Sequence, residues 1–158
     1  MIEVLVGTVA CGKSTWAKNR AEEGYIIVND DAIVNAVHGG VYGLYREWLK
    51  PLYKSIEDHI FHTAIAMSKG VVIDKGLSLS VASRQRWISL GRSLDVPVHC
   101  VVFEFFDAET HGKRRMADDG RGYDLDYWTR AAQAHINRYE PPTVEEGFDT
   151  VVTQPWKD

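Results

Sequence analysis

The sequence predicts an α/β fold of three layers, in which a parallel sheet of about five strands carries helices on both faces. Short apolar runs alternate with helical patterns along the 158 residues, and this alternation is typical of parallel strands joined by helical crossovers. A glycine-rich segment follows the first apolar run, and two later runs end in carboxylates. The length suits a single domain over residues 1–158 with a core of ordinary size.

Each predicted strand is an apolar run bounded by polar or glycine residues, as buried parallel strands are. The runs lie at 2–6, 25–28, 70–74, 96–106 and 148–152. Helical patterns with apolar residues three and four positions apart separate them. They predict a first helix that ends near Gly24, a second that starts at Asn29–Asp31 with an Asx N-cap, a third over 44–67 divided at Pro51, a fourth from Ser78 or Ser80 to Leu94, a fifth over 107–117, and a last helix capped by Asp124.

The glycine-rich segment Gly7–Thr15 fits the pattern G-x-x-x-x-G-K-[ST] without a mismatch. Between a strand and a helix, this pattern forms a loop whose N–H groups and helix N-terminus surround a phosphate. We expect Lys13 to reach the β- and γ-phosphates of ATP and the Ser14 hydroxyl to bind Mg²⁺. A chance glycine-rich turn is the alternative, which the flanking strand and helix disfavour. The expected nucleotide-binding residues are Gly7, Thr8, Val9, Ala10, Cys11, Gly12, Lys13, Ser14 and Thr15.

Carboxylates follow the second and third predicted strands. Asp30 and Asp31 come directly after the run at 25–28, and Asp74 closes the run at 70–74. Ligands of open α/β sheets bind beyond the carboxyl ends of the strands. Asp30 and Asp31 are therefore candidate catalytic residues, and Asp74 is a candidate Mg²⁺ ligand or acceptor contact. The alternative for the first two is that they only cap a helix.

A basic helix end precedes a polar, glycine-containing loop in the second half of the chain. Lys113, Arg114 and Arg115 are followed by 118–122, which includes Arg121. We expect a lid at about residues 110–124, whose three arginines neutralise charge on a transferred phosphoryl group. A solvated basic end of a helix, favoured by the helix dipole, is the alternative.

A phosphate loop, five strands with helices between them and a lid after the fourth strand together describe a small P-loop kinase. A GTPase would carry guanine-reading motifs, which the sequence lacks, and a motor or AAA-type ATPase would need a much longer chain. Arg84 stands one turn before the inward-facing Trp87 of the fourth predicted helix. From there it could fold back toward the site and contact the substrate.

The composition of the chain limits its expected cellular location and binding partners. The formal net charge of −4 and the pI near 5.8 do not indicate a protein that coats nucleic acid, although a local basic patch would serve. The two cysteines, Cys11 and Cys100, fit a reducing compartment rather than a disulfide scaffold. No signal peptide opens the chain, and no apolar run approaches the roughly 18 residues of a membrane span. We therefore expect a cytoplasmic location and no membrane partner.

Six segments, spread over nearly the whole chain, together match the pattern of a known protein family. They are 12–16, 24–31, 72–74, 83–87, 96–100 and 139–148. Together they resemble the kinase module of polynucleotide 5′-hydroxyl kinases and their close P-loop relatives. The phosphate loop is specific only for phosphate binding, whereas the last segment, with Pro-Thr followed by Glu-Gly-Phe before the final strand, is the more telling match.

The resemblance implies roles for the residues at the strand ends. In the family, Asn-Arg-Asp follows the second strand, and its Asp is the general base for the acceptor hydroxyl. Aligned on Asn29, that base falls on Asp31, or on Asp30 if a one-residue gap is allowed. The family's Asp at the end of the third strand falls on Asp74, where Lys75 and the glycine after it replace the family's Asn-Thr. Asp30 replaces the family's Arg, which favours a different acceptor.

The expected activity is that of an ATP- and Mg²⁺-dependent kinase whose acceptor is a hydroxyl on nucleic acid, with DNA favoured. That hydroxyl would be a 5′ end or a hydroxymethylated pyrimidine base such as 5-hydroxymethyluracil, which related phage enzymes phosphorylate. A phage origin would place the protein in the host cytoplasm. A kinase for a small metabolite or antibiotic is the alternative, and a nucleotide-dependent switch without catalysis is a third hypothesis. The expected substrate contacts are Asp31, Asp74, Lys75 and Arg84.

Overall fold

The computed structural model describes residues 1–76, 78–118 and 121–155. In these ranges the strands are β1 (Ile2–Val6), β2 (Ile26–Val28), β3 (Val71–Ile73), β4 (Val98–Phe103) and β5 (Thr150–Gln154). The helices are α1 (Lys13–Glu22), α2 (Asp30–Val37), α3 (Lys50–Ala66), α4 (Val81–Ser93), α5 (Ala108–Ala117) and α6 (Leu125–Arg138). Short 3₁₀ turns occupy Tyr42–Leu44, Glu47–Leu49 and Val144–Glu146. None of these helices is both long enough and apolar enough to span a bilayer.

The sheet is parallel throughout, in the order β2-β3-β1-β4-β5. Its central strand, β1, is buried along its whole length. Successive side chains of a strand face opposite sides of the sheet. Val4 and Val6 share a cluster with Phe61 of α3 and Trp87 of α4, whereas Leu5 packs on the other side with α1. Helices therefore cover both faces, and the predicted three-layer α/β fold is confirmed.

The register of the sheet brings the functional strand ends level with one another. Val4 of β1 pairs with Ile73 of β3, and Ile73 pairs with Val28 of β2. The residues that follow, Asn29 and Asp74, consequently leave the sheet side by side. The loop after β1 leaves at the same edge, so the three predicted site segments meet there.

Side-chain caps begin three helices where the sequence predicts them. Asn29 Oδ1 accepts a hydrogen bond of 2.8 Å from the backbone N–H three residues later, and Asp124 Oδ1 accepts an equivalent bond of 2.8 Å. Of the two serines proposed for α4, Ser80 is the cap, and it forms a capping box with Ser83. These bonds satisfy N–H groups that have no partner inside the helix.

Some element boundaries differ from those predicted. β4 ends at Phe103 rather than at 106, because its partner in β5 is Gln154, the last residue of that strand. Beyond this point Phe106 is 54% exposed. β5 lies two residues later than predicted. α3 starts only at Lys50, with Pro51 in its first turn as expected, because the residues before it form two 3₁₀ turns.

Candidate active site

The loop between β1 and α1 has a backbone that requires glycine at two positions. Gly12 precedes α1 with a φ of 104°, a left-handed value that favours glycine. At Gly7, a Cβ atom would lie 2.5 Å from Cys11 Sγ and 3.1 Å from Phe103 Cβ, so any side chain there would displace the loop. The tight turn into a helix N-terminus presents N–H groups to an anion. Its local geometry fits the phosphates of a nucleotide.

Lys13 is the buried cation of this loop. Its Nζ donates to the carbonyl oxygens of Gly7, at 2.8 Å, and Thr8, at 2.5 Å, and the residue is only 8% exposed. A buried ammonium group needs acceptors around it. Phosphate oxygens are charged acceptors and make stronger hydrogen bonds than carbonyl oxygens do, so the side chain is placed to exchange its present partners for a nucleotide.

Ser14 and Asp74, the two expected metal ligands, are in direct contact. Ser14 Oγ donates to Asp74 Oδ2 at 3.1 Å. Asn29 Nδ2 donates to the backbone oxygen of Asp74 at 2.9 Å and to Oδ2 at 3.1 Å, and thereby orients the carboxylate. Hydroxyl and carboxylate oxygens suit Mg²⁺, which completes its octahedron with water and substrate phosphates. Across the described ranges, no group of three or more His, Cys, Asp or Glu residues could hold a metal ion, so the donor atoms present fit a metal bound mainly by substrate.

A cavity of about 840 Å³ extends from the phosphate loop to the segment between α2 and α3. It is lined by more cationic than acidic side chains, although the whole chain has a formal net charge of −4. This local excess favours anionic ligands. The cationic residues are Lys13, Lys50, Lys54, Lys75, Arg86, Arg114, Arg115 and Arg121, and the acidic residues are Asp30, Asp31, Glu57, Asp74 and Asp118.

The two carboxylates at the start of α2 have different partners. Asp30 Oδ1 lies 2.9 Å from Lys75 Nζ, and Asp31 Oδ2 lies 2.5 Å from a terminal guanidinium nitrogen of Arg121. Burial raises the pKa of Asp30, and the neighbouring Lys75 ammonium opposes this shift. Asp30 therefore belongs to a cluster of charges in the cavity wall, whereas Asp31 meets the lid.

Glu57 of α3 lines the cavity, and sequence reasoning missed it. It is 3% exposed and pairs with both Lys75 and Arg86. Because Lys75 also pairs with the first carboxylate of α2, its ammonium group is held between two acids. The signal was present in the sequence: Tyr53, Glu57 and Phe61 stand four residues apart, which puts a carboxylate within the buried stripe of the helix.

All three arginines of the predicted lid line the cavity. Arg114 and Arg115 belong to the last turn of α5, and the Arg115 guanidinium lies 4.9 Å from the centroid of an aromatic ring of α6. The Arg121 guanidinium lies 3.7 Å from the centroid of the Tyr42 ring. Residues 119–120 of the predicted lid lie outside the described residues. The structure thus brings these cations to the same cavity as the phosphate loop.

Residues 2–142 match the profile of the AAA_33 family, which is described as an AAA domain. The chain belongs to this family.

The relatives of this AAA_33 protein include kinases. A protein from Schizosaccharomyces pombe named bifunctional polynucleotide phosphatase/kinase is 28% identical over 170 residues; the alignment covers 99% of this chain and 34% of the relative, so the chain spans about a third of that protein's length. A protein from Chloroflexus aurantiacus named as a kinase shares the fold with a TM-score of 0.66 at 15% identity, over 98% of this chain and 84% of that one. A gluconokinase from Sinorhizobium meliloti 1021 gives a TM-score of 0.55 at 18% identity, over 99% and 82%. The chain is thus a member of the AAA_33 family with the fold of these solved kinases.

Arg84 is not among the described residues that line the cavity. It is fully buried, and its guanidinium pairs with Glu146 at 2.6 Å and donates to the carbonyl oxygen of Leu79 at 2.9 Å. These contacts tie α4 to the 3₁₀ turn that precedes β5. Arg84 is therefore not placed to make the expected substrate contact, and its contacts hold the fold together.

His135 of α6 is a second cavity residue to which the sequence assigned no role. Burial lowers its pKa to about 4, and the positive charges of Lys13 and Arg138 act in the same direction. Its Nδ1 is buried without a hydrogen-bond partner in the described part of the chain. Buried polar atoms are rarely left without a partner, so a neutral imidazole stands ready to bond with a ligand in the cavity.

Proposed function

We propose that this P-loop kinase transfers the γ-phosphoryl group of ATP to a hydroxyl group on nucleic acid. The observation that carries the proposal is a single cavity, rich in positive charge, that joins the phosphate loop to the carboxylates of α2. A nucleotide donor and a nucleic-acid acceptor both bring phosphates that need cations. The 28% identity with a protein named for polynucleotide phosphatase and kinase activities supports the same acceptor class.

The donor end of the cavity would be formed by the loop N–H groups and Lys13. Ser14 and Asp74 would hold Mg²⁺, which would supply positive charge to the phosphate oxygens. Asn29 keeps the Asp74 carboxylate turned toward Ser14. Because these two oxygen atoms are already oriented before ligand binding, less entropy is lost when the nucleotide and its metal bind.

Asp31 is the residue that we propose as the general base, with Asp30 as the alternative. The acceptor hydroxyl gives its proton to the carboxylate while its oxygen forms a bond to the γ-phosphorus. The bond from that phosphorus to the β–γ bridging oxygen breaks, and ADP leaves with the electron pair. Asp31 suits this role because it meets Arg121 at the lid side of the cavity, whereas Asp30 is held by Lys75.

The lid arginines would stabilise the charge that develops on the transferred group. Arg114, Arg115 and Arg121 already line the cavity that the triphosphate would enter. An arginine used in this way contributes about 10³–10⁵ in rate in P-loop enzymes. The three candidates are distinguished by single substitutions to alanine.

The proposed acceptor is a 5′-hydroxyl end or a hydroxymethylated pyrimidine base, with DNA favoured over RNA. One observation favours a second candidate, a kinase for a small polyhydroxy compound. The paired charges of Asp30, Glu57, Lys75 and Arg86 form a polar floor that could bond to several hydroxyl groups of a sugar-like molecule. Salt separates the two candidates, because binding of a nucleic acid weakens steeply as salt is added, whereas binding of a neutral acceptor does not.

The decisive test is transfer of label from ATP to a panel of acceptors: 5′-hydroxyl oligonucleotides, duplex DNA with hydroxymethylated bases, free nucleosides and common sugars. Lys13→Ala should lose nucleotide binding. Asp31→Asn should abolish transfer and retain nucleotide binding, because it removes the proton acceptor and leaves the loop intact. Asp126→Asn is the matched control, since that carboxylate is 74% exposed and its ion-pair partner is Arg130 in the same helix.

Full activity of Asp31→Asn would reject Asp31 as the base. Loss of transfer in Asp30→Asn alone would assign the base to Asp30 instead. Label that appears in sugars and never in oligonucleotides would reject the nucleic-acid acceptor and leave the small-molecule candidate.

A further inference from the structure

A row of aromatic side chains leads away from the proposed acceptor site. Tyr42 and Tyr45 stack with ring centroids 6.5 Å apart and an interplanar angle of 12°. Tyr45 stacks in turn against Tyr53, at 5.6 Å and 25°. All three residues line the cavity. The row begins at the lid, because Arg121 lies 3.7 Å from the centroid of the Tyr42 ring and also pairs with Asp31.

Trp48 stands in the chain between the second and third tyrosines of this row. It belongs to the 3₁₀ turn between Tyr45 and Lys50, both of which line the cavity. Its side chain is 76% exposed, the largest value among the exposed large hydrophobic residues described. Within the described ranges its indole contacts neither another aromatic ring nor a cation. An indole left open beside a ligand cavity is a ready platform for a flat partner.

The same surface carries positive charge. Lys50 and Lys54 stand in the first turns of α3 and line the cavity. Lys54 has no acidic partner among the described residues. Lys50 pairs with Glu47, but their side chains are 62% and 73% exposed, and an exposed pair of this kind contributes little stability. Both ammonium groups are therefore available to an incoming phosphate.

We propose that residues 42–54, the stacking surface, bind the unpaired nucleotides that flank the acceptor hydroxyl, with Trp48 stacking on a base and Lys54 contacting the backbone phosphate. This inference rests on the proposed nucleic-acid acceptor. Aromatic faces interleaved with cations are how proteins hold single strands without reading their sequence. A small metabolite at Asp31 would not extend along the row to Trp48, whereas a strand of a few nucleotides would.

The first experiment measures binding without transfer. A fluorescein-labelled single-stranded DNA of twelve nucleotides is titrated with the protein in the absence of ATP, and anisotropy is followed. Trp48→Ala should weaken binding by about tenfold, the usual effect of removing an aromatic side chain on which one base stacks. Trp48→Phe should retain most of the affinity. Met67→Ala is the matched control, because Met67 is 65% exposed and directly follows the other end of α3, roughly 25 Å away at 1.5 Å per residue.

The second experiment measures transfer of label from ATP to acceptors of two lengths. Trp48→Ala should raise the KM for a 5′-hydroxyl twelve-nucleotide DNA and leave kcat unchanged. With a 5′-hydroxyl mononucleotide, the variant should behave as the unsubstituted protein does, since that acceptor cannot reach Trp48. A loss of fold would instead lower the transfer to both acceptors equally.

Equal DNA affinity of the Trp48→Ala and unsubstituted proteins would overturn the inference, while transfer to DNA by both would leave the proposed function standing. No transfer to any nucleic acid by the unsubstituted protein would overturn the proposed function itself, and the inference with it. Light scattering that shows a dimer, converted to a monomer by Trp48→Ala, would overturn the inference by showing that a second copy covers the stacking surface.

Discussion

Replacing Gly7 by alanine should damage the phosphate loop through one steric contact. The new Cβ would lie 2.5 Å from Cys11 Sγ, 3.1 Å from Phe103 Cβ and 3.4 Å from the Phe103 carbonyl oxygen. Phe103 belongs to β4 and is 5% exposed, so it cannot move aside, and the loop must shift instead. Overpacking of this kind destabilises the folded state by about 1–3 kcal/mol. For a chain of this length, the middle value of about 2 kcal/mol lowers Tm by about 4–8 °C.

Nucleotide binding should weaken with it. A loop shifted by a few tenths of an ångström misplaces its N–H donors, and losing one hydrogen bond to a charged group amounts to about 1.5 kcal/mol, or roughly tenfold in affinity. Thermal unfolding and titration with a fluorescent ATP analogue measure the two effects separately. Gly43→Ala is the control: a Cβ at Gly43 would meet nothing within 4 Å, and its stability should change by less than about 0.5 kcal/mol.

A second substitution tests the steric explanation directly. Cys11→Ala removes the sulfur atom and leaves only the milder contacts with Phe103, so Gly7→Ala should be less harmful in its presence. The double variant should be more stable than the sum of the single effects predicts, by at least about 1 kcal/mol. Additivity within about 0.5 kcal/mol would refute the reasoning, because it would show that the clash with Cys11 is not what Gly7 avoids.

Three further predictions follow from buried groups. Glu57→Gln leaves two cations around a neutral side chain that is 3% exposed, and should lower the free energy of unfolding in urea by about 2 kcal/mol. Glu109→Gln is the control, because the side chains of its ion pair are 63% and 59% exposed, and it should change stability little. Equal effects of the two substitutions would contradict the burial argument. Burial lowers the pKa of His135 from 6.5 to about 4, so on acidification the unfolded chain binds the proton before the folded chain does. The free energy of unfolding should therefore fall as the pH is lowered from 6.5 to 4, by at most about 3 kcal/mol, and an unchanged pH profile in His135→Gln would count against this. Burial raises the pKa of the Cys100 thiol to about 12, so in a Cys11→Ala variant the thiol should react with DTNB at pH 8 only after unfolding, and rapid reaction of the folded protein would contradict this.

Helix starts and the phosphate loop were predictable because their signals are local. Asn29 caps α2 through an atom three residues away, and Ser80 does the same for α4. Gly12 adopts a φ of 104° that the motif itself requires. Each of these features depends on contacts within a few positions of the chain, so the order of the residues contains the information.

The ends of the strands were harder to predict, because the hydrogen bonds of a sheet join two segments of the chain. The apolar run at 96–106 predicted a longer β4 than the one that ends at Phe103 opposite Gln154. Apolar composition shows that a segment is buried, but the partner strand decides where hydrogen bonding stops. The same limit explains why β5 was placed two residues too early.

The sequence by itself determined the α/β class, the phosphate loop and the presence of carboxylates at the strand ends, since periodicity and motif spacing encode them. Only the tertiary structure decided which charges meet. Arg121 pairs with Asp31 across 90 positions, and Arg84 is taken up by Glu146 across 62 positions and buried away from the cavity. Lys75 is fixed by Glu57, which stands 18 positions earlier in the chain. The energy of a charge depends on its neighbours and on its exposure to water, and both are set by the packing of elements that are distant in the sequence.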